Sequence, residues 1–175
     1  MDRIDKILAQ WNRERPDLDT SPMGLIGRIR NLALHLSREM DKTFARFGLN
    51  NATFDVLATL RRSGPPYALS PSDLLATMMV TSGTMTNRID QLEKSGMVAR
   101  STNPEDGRSF LVSLTDKGYA LIDAAVTAHV ETQTQLVSAL TQEDRAMLDG
   151  LLGKYLTGFE TDAPKKNSAV DISGG

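Results

Sequence analysis

Apolar residues recur every three or four positions along almost the whole chain, the spacing of helices that bury one face, and only one short stretch alternates instead. A first helix reads from Asp2 to about Arg13 with Ile4, Ile7, Leu8 and Trp11 on one side, and it stops before Pro16 in the tether RPDLDTSP. From Leu25 to Phe47 the positions Leu25, Ile29, Leu32, Leu36, Met40, Phe44 and Phe47 form a long stripe closed by Gly48. The next helix is capped near Asn50, turns Phe54, Leu57 and Leu60 inward, and ends in the SGPP turn at 63–66.

Two short helices follow. Ser70 offers an N-cap, Pro71 suits the first helical position and Asp73 stands three residues after the cap, predicting a helix over Pro71 to about Met79. After a turn at Val80, Thr81 or Ser82 caps a second helix whose Met85, Ile89 and Leu92 form a buried stripe up to the terminator Gly96. Two short capped helices joined by a tight turn make a helix-turn-helix. The alternating stretch comes directly behind it: Val98–Thr102 and Phe110–Leu114, with Phe110, Val112 and Leu114 on one face, flank NPEDGRS, a β-hairpin in the position of a wing. Thr115 caps a long helix to about Leu140, and Thr141 with Asp144 opens a last one carrying Met147, Leu151, Leu152, Tyr155 and Phe159 on one face.

The expected fold is therefore mainly α with a small β-hairpin wing, a winged helix-turn-helix. Its organisation reads as an N-terminal helix and tether over 1–20, a long helix over 21–50, the winged lobe over 51–118, two C-terminal helices over 119–160 and a disordered polar tail over 161–175.

Composition narrows the function by exclusion. With no cysteine there is no disulfide, thiol chemistry or cysteine-held zinc, and His35 and His129 lie on separate helices without an acidic cluster, so no metal and no cofactor is expected. No run reaches the roughly 18 consecutive apolar residues of a membrane span, and Asp2, Asp5, Glu14, Asp17 and Asp19 are foreign to a secretory signal; the expectation is a cytoplasmic protein with no membrane partner. No glycine-rich phosphate loop, nucleophile elbow or histidine–carboxylate constellation supports an enzyme.

Chemistry is instead concentrated on surfaces. Burying Met85, Ile89 and Leu92 turns Ser82, Thr84, Thr86, Asn87 and Gln91 outward, short hydrogen-bonding side chains that can reach base edges and phosphates when a helix N-terminus enters the major groove. At the wing tip Arg108 is a long cation able to enter the minor groove, with Asp106 placed to orient its guanidinium. The net charge of -2, and four basic residues (Arg88, Lys94, Arg100, Arg108) balanced by four acidic ones (Asp90, Glu93, Glu105, Asp106) from Thr81 to Phe110, predict selective rather than purely electrostatic binding. Arg88 lies beside the buried stripe, so its guanidinium needs a partner near the core, and Asp55, flanked by Phe54 and Leu57, is the obvious one.

The run SPSDLLATMMVTSGTMTNRIDQLEKSGMVARSTNPEDGRSFLVSLTDKG, with Asp-x-Arg at Asp106–Arg108 and Leu-Thr-x-x-Gly at Leu114–Gly118, resembles the DNA-binding lobe of the MarR family of antibiotic-resistance regulators. The resemblance extends over roughly Asp2–Glu160 and implies a dimeric architecture in which the first long helix and the last two helices interlock. Trp11 in the extra leading helix, RPDLDTSP, Asp55 in FDVLATLRRSG, Arg88 and Arg100 further resemble its urate-responsive branch. That likeness implies a ligand site in which Trp11 packs on a purine, Arg88 and Arg100 engage its anionic edge and Asp55 is repelled by the arriving charge. The expected function is a homodimeric repressor on a near-palindromic double-stranded operator, with Arg88 serving both reading helix and pocket, released by urate or a xanthine-like purine. A phenolic or other aromatic carboxylate is the alternative effector, and a structural Asp55–Arg88 ion pair with Trp11 as a plain core aromatic is the alternative reading of the residues.

Overall fold

A computed structural model of the chain describes residues 1–78, 85–104 and 109–161. The chain divides into two compact units, Met1–Thr134 and a second beginning at Gln135.

In the first unit, α1 (Arg3–Glu14) starts on a reciprocal capping box between Asp2 and Asp5. It lies on α2 (Ser21–Ala45) where Gly24 and Gly27 leave room: a Cβ there would stand 3.0 Å from Leu8 Cδ1 and 3.2 Å from Ile4 Cδ1. Arg28 clamps the pair through Asp2, at 2.8 Å, and Asp5. α2 begins four residues earlier than the hydrophobic stripe alone predicts, because Pro22 is tolerated in a first turn and Asp19 Oδ1 accepts the Ser21 N–H at 2.9 Å. Its expected inward stripe is split: Phe44 is buried, whereas Leu25 and Leu32 are 58% and 50% exposed.

α3 (Asn51–Arg62) is capped by Asn50 as expected, with Thr53 completing the box. After the cis Pro65–Pro66 bond, Tyr67 adopts a left-handed conformation and leads into β1 (Ala68–Leu69). This strand corrects the reading of a two-stranded wing. Two residues are too short to show alternation, yet β1 pairs antiparallel with β3 (Phe110–Leu114), Ala68 opposite Ser113, and β3 pairs with β2 (Val98–Thr102), Arg100 opposite Val112, in the order β1-β3-β2. Phe110 is another departure: it shares the inward parity with Val112 but is 36% exposed beneath the Arg100 guanidinium.

α4 (Pro71–Thr77) carries its Ser70 cap and ends two residues before the predicted boundary. α5 (Met85–Lys94) buries Met85, Ile89 and Leu92, as its spacing demands; its predicted cap at Thr81 or Ser82 lies outside the described residues, as does the tail beyond Thr161. α6 (Asp116–Leu136) is capped by Thr115, whose Oγ1 accepts the Gly118 N–H at 3.0 Å. One core joins these elements, with Leu57 and Leu60 of α3, Leu74, Ile89, Val112 and Ile122 all inaccessible or nearly so.

In the second unit α7 (Gln142–Thr161) opens on the expected Thr141–Asp144 box. Met147, Leu151, Leu152, Tyr155 and Phe159, together with Leu148 and Leu156, are exposed. Among the described residues no helix is long and apolar enough to cross a membrane.

Candidate nucleic-acid interface and ligand pocket

The buried stripe of α5 decides what its other side presents. With Met85, Ile89 and Leu92 in the core, Thr86, Asn87 and Gln91 are exposed, as expected for a helix offering short polar side chains to a partner. Four further residues of the expected DNA surface, Ser82, Thr84, Asp106 and Arg108, lie outside the described residues. The base of the wing is closed by Asn103, whose N–H donates to the Ser109 carbonyl at 3.0 Å and whose side-chain amide donates to Ser109 Oγ at 3.1 Å.

The end of α5 is held firmly. Gly96 terminates it in the left-handed region, and the Met97 N–H returns to the Leu92 carbonyl at 2.9 Å. Thr115 Oγ1 donates to the Gly96 carbonyl at 2.7 Å, and Lys117 Nζ donates to that of Ser95 at 2.9 Å. The Leu-Thr-x-x-Gly motif thus ties the start of α6 to the C-terminus of the exposed polar helix.

Arg100 reaches from β2 to the same helix. Its guanidinium pairs with Glu93 at 2.6 Å and with Asp90, and lies 5.0 Å from the centroid of Phe110. Its charge is therefore already committed within the winged lobe.

Around Asp55 the situation is the reverse. A cavity of about 360 Å³ is lined by Asp55, Thr59 and Arg62 of α3 with Thr77 and Met78 at the end of α4. Arg88 influences Asp55 electrostatically, but the two form no ion pair of 4.0 Å or less, so the expected structural pair is absent, and Arg88 Nη1 is buried without a hydrogen-bond partner. Thr59 Oγ1 and His129 Nδ1 are buried and unpartnered as well. The His129 ring sits 5.2 Å from that of Phe44 and 5.0 Å from that of Phe54, and burial holds its imidazole below the ordinary histidine range, against the pull of Asp55. Leaving such groups unmet costs about 1–3 kcal/mol each, which marks the region as one built for more than packing. Trp11 is 43% exposed on α1 and does not line this cavity. Of the four expected ligand residues, Asp55 lines the cavity and Arg88 acts on it electrostatically without pairing, whereas Arg100 and Trp11 are placed elsewhere. Thr59, Arg62 and His129 were not anticipated, although Thr59 and Arg62 follow Asp55 at helical spacings of four and seven.

Burial raises the Asp55 carboxyl above its ordinary value, outweighing the attraction of Arg88, Arg62 and His129. The folded state therefore holds this proton more tightly than the unfolded chain, and stability falls as pH rises through the folded-state value. Asp55→Asn is expected to melt higher than the wild type at pH 7, with the gain vanishing below about pH 4, where both carry a neutral side chain. An unchanged melting temperature at pH 7 would contradict this sign.

Residues 49–110 match the MarR family model. The chain is 42% identical over 151 residues to the HTH-type transcriptional regulator PecS of Dickeya dadantii (strain 3937), spanning 86% of this chain and 91% of PecS. It is 26% identical to the HTH-type transcriptional repressor YetL of Bacillus subtilis (strain 168), over 78% and 81% of the two chains. Among solved structures, a MarR-like transcription regulator from Bacillus cereus ATCC 10987 superposes with a TM-score of 0.71 at 26% identity, covering 80% of this chain and 99% of that one. A variant of MarR from E. coli complexed with operator DNA gives 0.68 at 26% identity, over 83% and 97%. On the strength of the identity to PecS across nearly the full length of both chains, the protein belongs to the MarR family of transcriptional regulators.

Proposed function

We propose that the protein is a homodimeric repressor that binds a near-palindromic operator and is released by an anionic aromatic ligand, most simply urate or a related purine. The observation that carries the DNA-binding part is the division of α5 into a buried apolar face and an exposed face of Thr86, Asn87 and Gln91. Side chains of this kind read base edges from within the major groove. Two such helices, one per protomer, would occupy successive major grooves about one helical turn apart, with Ser82 and Thr84 beside the phosphates and Arg108, oriented by Asp106, in the flanking minor grooves. A solved operator complex of an E. coli relative supports the reading by likeness.

For the ligand, Arg88 is the anchor: a buried guanidinium nitrogen without a partner attracts an anion, and the nearby Asp55 carboxylate resists one. An arriving anion changes the balance on α5 itself, so it shifts the reading helix by its different affinity for two arrangements of that helix. Arg100 would join the anion by exchanging Asp90 and Glu93 for it, and Trp11 would cover the ligand ring.

The test is an operator-binding titration read by fluorescence anisotropy. Asn87→Ala is expected to lower operator affinity about tenfold at fixed salt while leaving the melting temperature unchanged, as loss of a base contact does. Urate should then release wild-type protein from the operator, and Arg88→Ala should blunt that response. If salicylate releases the operator and neither urate nor xanthine does, the effector is an aromatic carboxylate; if Asn87→Ala binds as the wild type does, α5 is not the reading helix.

A further inference from the structure

Resting on the proposed anion response, the geometry points to Arg62 as a second cation of the ligand site and as the link from that site to the helix-turn-helix. Arg62 lies on the wall of the cavity beside Asp55, one turn beyond Thr59 and two beyond Asp55 on the same face of α3. It is exposed. Its guanidinium Nη2 donates to the Thr77 carbonyl at 3.2 Å, the last helical residue of α4. Such a bond satisfies one of the carbonyls that every helix end leaves open, and a cation there also suits the negative end of the helix.

Several observations make this more than a helix cap. Arg62 on the cavity wall and Arg88, which stands outside the lining, both attract one carboxylate, Asp55. Thr59, 1% exposed, contributes a hydroxyl that nothing satisfies to the same wall. An anion with hydrogen-bond acceptors on adjacent edges would therefore meet the Arg62 guanidinium and the Thr59 hydroxyl on the cavity wall, with Arg88 attracting it from beyond the lining. A carbonyl is a weaker acceptor for a guanidinium than an anionic oxygen, because only the latter adds a full negative charge to the attraction. Occupying the cavity would draw Arg62 from Thr77 and release the end of α4 just before the connection to α5. Arg62 thus converts ligand charge into a loosened end of α4, independently of any direct movement of Arg88.

Isothermal titration of urate and xanthine into the free protein, paired with hydrogen exchange, tests this. Arg62→Gln keeps the length and a donor but removes the charge. It should weaken urate binding about tenfold or more, and Arg62→Lys should recover most of that loss. In the wild type, saturating urate should speed exchange of the Leu74 and Met78 amides, whose acceptors are the Ser70 and Leu74 carbonyls. Wild-type affinity in Arg62→Gln, alongside an Arg88→Ala variant that has lost binding, would overturn the role of Arg62 and leave the effector reading standing. Unchanged exchange in α4 with urate bound would overturn the coupling. Failure of the wild type to bind either purine would overturn both this inference and the reading beneath it.

Discussion

Replacing Gly118 by alanine is expected to cost about 3 kcal/mol and to lower the melting temperature by roughly 6–12 °C, with operator affinity falling alongside. A Cβ at this position would stand 1.9 Å from the Met97 carbonyl oxygen and 2.8 Å from its carbon, whereas ordinary contacts begin near 3.4 Å. Both are backbone atoms, so no side chain can swing aside. Either the first turn of α6 or the turn joining α5 to β2 must move, and these are the two pieces that Thr115 binds together through the Gly96 carbonyl at 2.7 Å and the Met97 carbonyl at 3.2 Å. Displacing that joint re-aims α5 and the root of the wing at once, which is why DNA affinity should fall with stability. Thr115→Val, which removes the hydroxyl but adds no clash, should cost only about 1 kcal/mol, the ordinary value of a lost cap. Thermal melts of the two variants check the order; a Gly118→Ala protein that melts with the wild type would contradict the close approach of α6 to the Met97 carbonyl.

That glycine illustrates what the amino-acid pattern makes legible. Gly118 stands out as part of a motif, yet its reason is a contact with Met97, far in sequence and brought near only by the fold. Helix starts are the opposite case: Asn50, Ser70, Thr115 and Thr141 all cap where their side chains predict, with Asp73 and Asp144 standing three positions after Ser70 and Thr141, because capping is a local interaction. β1 escaped the pattern, since a two-residue edge strand owes its existence to β3 rather than to its own alternation. Periodicity also identified the two polar faces with different success. On α5 the exposed Thr86, Asn87 and Gln91 follow directly from the buried stripe. Around Asp55, charge complementarity suggested a closed pair with Arg88, and the fold holds them apart beside a cavity that also engages Arg62 and Thr59. Arg100 likewise follows its local neighbours, Asp90 and Glu93, which stand within one face of α5 and were visible in the charge count without their partner being evident.

The apolar stripes that find no core in one chain lead to the second large effect. Leu151→Glu is expected to leave the isolated chain folded but to turn a dimer into a monomer at micromolar concentration, with operator affinity reduced at least about a hundredfold. Leu151 is 61% exposed, and Met147, Tyr155, Leu156 and Phe159 on α7 are similarly uncovered, as are Met23, Leu25, Ile26, Leu32 and Leu34 on α2. So many large apolar side chains on single helices are rare on a monomeric surface and mark association. On a lone chain the glutamate would sit in water and cost almost nothing. In a two-fold interface each substitution occurs twice, and each buries an unpaired charge at about 3–5 kcal/mol, more than such an interface can spare. On the proposed reading, operator binding would depend on that symmetry, since one reading helix would hold only a half-site and the second would contribute by being held at the right spacing. Sedimentation equilibrium of both proteins, followed by operator titration, separates the effects. A Leu151→Glu protein that still sediments as a dimer would mean that α7 is not part of the interface, and a wild-type monomer would remove the basis for paired half-site reading altogether.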